Sequence, residues 1–247
     1  LTTPVISAVS PGTASNIGNA NVNYTLSENL SSGTVTFTRT GGSVDGSSPH
    51  VVNLAGGELN IGAFSGALTN APSLVDGTIY SIAFDGVDLV GNVASTVTST
   101  SITYDITAPV ISSITPVIAS NINNSDVGYT LSEALSSGTV TFTRTSGAVD
   151  DSSPHIVNLI GAELNTGAFS GPLANAPTLV GGAIYSIAFN GSDAVGNVAN
   201  TVTSTSVTYD ITDPVFSSVS PATSAIVNST NVAYTLSESL ASGTVTF

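Results

Sequence analysis

At 247 residues the chain is long enough for one or two domains with real cores. Only 7% of it is charged, and 16 acids against two arginines give a formal net charge of −14. Phosphate neutralisation needs clustered cations, so this balance excludes nucleic-acid binding and attachment to an anionic membrane through a basic patch. Cysteine is absent, which removes disulfides and thiol chemistry.

The elements in chain order are all β. Thr, Ser, Asn, Gly and Val dominate; β-branched side chains suit a pleated surface, and Gly and Asn suit turns. Residues 4–10 form a first strand. In 21–27, Val22, Tyr24 and Leu26 share one face while Asn23, Thr25 and Ser27 share the other. In 34–40, Val35 and Phe37 face inward. Strands follow at 50–55 and 60–69, and 79–85 sets Tyr80, Ile82 and Phe84 on one face. A last strand, 93–104, has its alternation blurred, which predicts a bulge. Seven or so short strands in about 100 residues is the pattern of an immunoglobulin-like sandwich. Asp76-Gly77-Thr78-Ile79-Tyr80, opening the sixth strand, has the spacing of a tyrosine corner; Tyr80 and its repeat Tyr185 are also core aromatics. No apolar run approaches the ~18 residues of a membrane span.

The whole pattern then repeats. Pro4-Val5, Pro109-Val110 and Pro214-Val215 recur 105 residues apart, and Tyr24 to Glu28 returns as Tyr129 to Glu133 and Tyr234 to Glu238. A period of this length is an autonomous domain rather than a solenoid unit. The division is therefore 1–105, 106–210 and an incomplete 211–247, forming an elongated rod at roughly 40 Å per module. The chain opens at Leu1 without an initiator Met and reads as an excerpt of something longer. An incomplete third copy has two explanations, an arbitrary cut or completion by strands of another chain.

Asp88-Leu89-Val90-Gly91-Asn92 precedes the last strand of copy one, and Tyr104-Asp105-Ile106-Thr107-Ala108-Pro109 makes the junction. Copy two has Asp193-Ala194-Val195-Gly196-Asn197 and Tyr209-Asp210-Ile211-Thr212-Asp213-Pro214. These motifs, at fixed spacing over the whole chain, resemble the tandem bacterial immunoglobulin-like (Big-type) modules of giant surface adhesins. The resemblance implies secretion to the cell surface and a role in adhesin stalks or filaments, often with calcium stiffening the joints. It implies no ligand.

A sandwich brings one group of acids to a single pole. Asp105 immediately precedes the first strand of module two, Glu133 follows its second strand, and Asn190 and Asp193 follow its sixth. Glu133 and Asp193 also continue the inward parity of their strands. Clustered carboxylates repel unless something neutralises them, and calcium takes six to eight such oxygens. Turn capping by the same acids is the competing reading. Zinc does not suit a pole without Cys or His. The equivalent residues are Glu28, Asp85 and Asp88 in module one, and Asp210 and Glu238 in module three, with Asp213 as an extra candidate.

The remaining polar residues have structural readings. Arg39 and Arg144 lie at strand ends, where ion pairs with Asp45 and Asp150 are expected. His50 and His155 open a strand, with no Ser/His/Asp set or paired-carboxylate cleft to make them catalytic, so no enzymatic activity is expected. Three functions remain: a stalk that spaces an adhesive tip, a subunit of a self-assembling filament or layer, and a glycan- or protein-binding module. Near-identical neighbours favour the first two. The partners expected are neighbouring modules of the same chain, and identical chains in a filament.

Overall fold

The computed structural model describes residues 2–247. The first unit comprises β1 (Ile6–Ser10), β2 (Asn16–Ile17), β3 (Val22–Leu26), β4 (Leu30–Gly42), β5 (His50–Asn53), β6 (Gly62–Gly66), β7 (Thr78–Asp88) and β8 (Val97–Tyr104). They form two sheets, β1-β3-β6 and β2-β8-β7-β4-β5. All pairs are antiparallel except β2 with β8, which run parallel through Asn16↔Thr103 and Ile17↔Tyr104. This order is that of an immunoglobulin-like sandwich. The seven expected segments are all present; β2, two residues long, carries too little pattern to be read from sequence.

Alternation is most regular in β7, where every second residue from Thr78 to Asp88 is buried. Tyr80, Ile82 and Phe84 meet Val35 and Phe37 of β4 on one side and Tyr24 and Leu26 of β3 on the other in a single core cluster. Full burial of each such side chain contributes roughly 1.5–3 kcal/mol. The blurred last strand contains the expected bulge: Tyr80 pairs with Ile102 and Ile82 with Ser99, so three steps on β8 face two on β7.

The second unit repeats the arrangement with β9 (Ile111–Thr115), β10 (Asn121–Ile122), β11 (Val127–Leu131), β12 (Ser137–Gly147), β13 (His155–Asn158), β14 (Gly167–Gly171), β15 (Ala183–Ser192) and β16 (Val202–Tyr209). Its sheets are β9-β11-β14 and β10-β16-β15-β12-β13. The third stretch contributes β17 (Phe216–Ser220) and β18 (Ala233–Leu236), paired in the register of β9 with β11.

Two features tie the loops to this frame. The Tyr80 hydroxyl accepts the Val75 N–H (3.1 Å) and donates to Asp45 Oδ2 (2.6 Å), with His50 Nε2 2.6 Å from the same oxygen. The tyrosine corner therefore exists and extends to the loop after β4. Bonds from Tyr80 and then His50 hold the Asp45 carboxyl down at about 2. Tyr185, Val180, Asp150 and His155 repeat the set. The expected Arg–Asp ion pairs do not form. Arg39 turns back on its own hairpin, its Nε donating to the Ser43 carbonyl (2.7 Å) and a terminal nitrogen to that of Gly42 (2.9 Å). Arg144 does the same with Ala148 and Gly147. The carboxylates are already committed to tyrosine and histidine, while the turn carbonyls lie within reach of a guanidinium.

Candidate metal centre

The pole of the second unit is built by strand ends. β11 stops at Leu131 and β15 at Ser192, so Glu133 and Asp193 emerge at the same end of the sandwich. Asp193 follows the buried parity of Phe189 and Gly191 and is itself 4% exposed. Gly191 precedes it at close quarters: a Cβ there would stand 2.5 Å from Cδ1 of the buried Leu135 and 3.0 Å from the Ser137 carbonyl oxygen. Asp105, following β8, enters from the linker, anchored by its N–H to the Ile17 carbonyl (2.9 Å).

One carboxylate oxygen from each of Asp105, Glu133 and Asp193 lies within 4.8 Å of those of the other two. Oxygens bound to one Ca²⁺ at ~2.4 Å stand no more than about 5 Å apart, so a single ion can span the three. The donors are all hard carboxylate oxygens, which suits calcium or magnesium and not zinc.

The three acids are not equivalent. Asp193 Oδ1 accepts the N–H groups of Val195, Gly196 and Asn197, and Oδ2 accepts the Asn197 side-chain amide (2.8 Å). Burial works to raise this carboxyl, but the Asn197 bonds and those from Val195 and Gly196 prevail and hold it below the usual range. Turn capping is therefore present in Asp193, and its Oδ2 retains a free lone pair. Asp105 Oδ1 accepts the Thr107 N–H (3.1 Å). Glu133 is pushed up, by burial first and then by Asp105, Asp193 and Asp76.

Asp76 has no equivalent in copy two, where Gly181 stands, and strand patterning gave no reason to place it here. The Ile106 N–H donates to its Oδ1 (2.8 Å) and the Thr107 hydroxyl to its Oδ2 (2.5 Å). Those bonds, Thr107 first, hold its carboxyl below the usual range.

Asn190 does not join the group. β15 continues through Ser192, which leaves Asn190 inside the strand on the outer parity, opposite Thr139 and facing away from the side that buries Asp193. Asp85 occupies the same place in the first unit, paired with Thr34 and accepting the Thr96 hydroxyl. Asp88 repeats the Asp193 turn, with Oδ1 accepting from Val90 and Asn92. Glu28 is half-buried beside Thr2, Thr3 and Val5. At the next joint Asp210 Oδ1 takes the Thr212 N–H (3.0 Å), Asp213 is exposed, and Glu238 Oε1 is buried without a hydrogen-bond partner. An unpaired buried carboxylate oxygen is costly, and a cation is one way to satisfy it. Among the described residues, Asp105, Glu133 and Asp193 form the single group of three acids.

No protein-family model matches the chain, and no curated protein matches its sequence. Among solved structures it is similar to the FN1-FN3 domains of chicken CNTN1, at 12% identity and a TM-score of 0.39 over 85% of this chain and 69% of that one. It is also similar to the fibronectin(III)-like modules of Clostridium thermocellum CbhA, at 12% identity and a TM-score of 0.35 over 83% of this chain and 94% of that one. The strand order itself carries the assignment: the chain is a tandem of immunoglobulin-like β-sandwich modules.

Proposed function

We propose that the chain is a structural repeat segment of an extracellular surface protein, a stalk or spacer whose joint is stiffened by calcium held by Asp105, Glu133 and Asp193. The observation that carries this reading is the convergence of a linker acid with two acids of the following module. An ion there joins the linker to the second sandwich and removes the repulsion that Glu133 feels. Near-identical tandem modules add length and rigidity without needing a site of their own on each copy. Among the described residues no helix is long and apolar enough to cross a membrane.

Isothermal titration of the full chain with calcium, beside Asp105→Ala, tests the site. Extracellular modules bind at ~10⁻⁴–10⁻³ M, and an affinity in that range, lost in the variant, is expected. Small-angle scattering with calcium and with chelator tests the mechanics. A chain that takes up no calcium, or whose scattering is identical in both conditions, overturns the proposal. The competing filament reading requires assembly that grows with protein concentration, which the same scattering series measures.

A further inference from the structure

We propose that the two joints of the chain are mechanically unequal, Asp76 clamping the first linker by hydrogen bonds and Gly181 leaving the second as a hinge. The two linkers, 105–109 and 210–214, start alike. The Asp105 N–H bonds to the Ile17 carbonyl (2.9 Å) and the Asp210 N–H to that of Ile122 (2.8 Å). The Gly77 N–H reaches the Tyr104 carbonyl (2.8 Å) and the Gly182 N–H that of Tyr209 (2.7 Å). Thr107 and Thr212 each donate their N–H to the preceding aspartate.

The difference begins at the next group. In the first joint one carboxylate takes both the Ile106 N–H and the Thr107 hydroxyl, tying two successive linker residues to the loop before β7. In the second joint that position is Gly181, with no side chain to offer. The Ile211 side chain lies over it instead, Cγ1 standing 2.9 Å from where a Cβ would be. An exposed apolar contact is non-directional and does not fix the backbone of residues 211 and 212 as two charge-assisted hydrogen bonds fix 106 and 107. The second linker also carries Asp213 where the first has Ala108, adding a like charge three residues from Asp210. A rod of such modules bends at chosen joints, set by one residue of the preceding module. The clamp consists of protein groups alone and stands whether or not calcium binds.

Amide hydrogen exchange and ¹⁵N relaxation of the full chain in excess chelator test this separately from the calcium site. In the wild type the Ile106 amide is expected to exchange roughly tenfold more slowly than that of Ile211, the population ratio that a bond to a charged acceptor supports. Asp76→Gly should bring Ile106 to the Ile211 rate and lower the ¹⁵N order of Thr107 to that of Thr212. Gly181 does not have a left-handed φ, and what opposes a side chain there is Cγ1 and Cδ1 of Ile211, an exposed side chain with solvent to turn into, so Gly181→Asp should slow Ile211. Equal exchange at Ile106 and Ile211 in the wild type overturns the proposal, as does a folded Asp76→Gly chain with a slow Ile106. Should Asp76→Gly unfold the first unit, Gly181→Asp decides: a slowed Ile211 amide supports the clamp and an unmoved one overturns it.

Discussion

Replacing Glu133 by Gln should reverse the order of stability between wild type and variant according to whether calcium is present. In chelator, the ionised Glu133 is destabilised by burial first and then by the charges of Asp105, Asp193 and Asp76. The neutral amide removes both the buried charge and the repulsion, so the variant is the more stable form at neutral pH. With calcium the order inverts, because the variant has lost one of three charged donors. The gain from the ion follows from mass action: ~10 mM calcium against a Kd of ~10⁻⁴–10⁻³ M stabilises by about 1.4–2.7 kcal/mol. For a module of about 100 residues this is a rise in Tm of roughly 5–20 °C. Scanning calorimetry of the full chain reads it, and only the transition of the second unit should move, since that unit alone gathers three acids among the described residues. A calcium shift of the same size in Glu133→Gln, or a wild-type melt indifferent to calcium, refutes the reasoning.

Three further outcomes follow from the geometry. Tyr185→Phe strands the Val180 N–H and removes a bond to Asp150 in the buried corner, and is expected to cost about 1–3 kcal/mol by denaturant unfolding. Gly147→Ala places a Cβ 2.2 Å from the Gly182 carbonyl at a φ of +74°; backbone strain alone costs about 1–3 kcal/mol, so a melt unchanged from wild type would contradict this turn. The response to pH has two opposed parts. Asp45 ionises more easily when folded, so the stability it contributes is present above its unfolded pKa of 3.8 and is lost as pH falls through about 2. Glu133 is raised, so its contribution is present below 4.5 and lost as pH rises through its folded value. In chelator, acidification from neutral should therefore first stabilise the second unit, and Glu133→Gln should abolish that rise in a pH series of melts.

Period and parity were enough to read the sandwich from the chain itself. A two-residue alternation in 21–27 and 79–85 can only be buried against a second sheet, and a repeat of 105 residues can only be a domain. The same parity carried Glu133 and Asp193 past their strand ends to the pole, because inward positions of neighbouring strands share one axis. Three things needed the tertiary structure. Strand ends cannot be located to a residue from pattern: the sequence reading ends the sixth strand before Asn190, whereas β15 contains it and turns its side chain to the outer face. Which partner a carboxylate takes depends on distances across loops: Asp45 goes to Tyr80 and His50, and Arg39 is left to the carbonyls of its own hairpin. Asp76 is 30 residues before the linker it holds, and nothing in a local pattern reports a contact made by the chain folding back on itself. The sandwich and the acidic pole follow from alternation along single strands, and the repeat from a period of 105 residues, so all three are legible in the linear chain. Which side chains hold the joint depends on loop-to-loop distances, which no periodicity encodes and which exist only once the chain has folded back on itself.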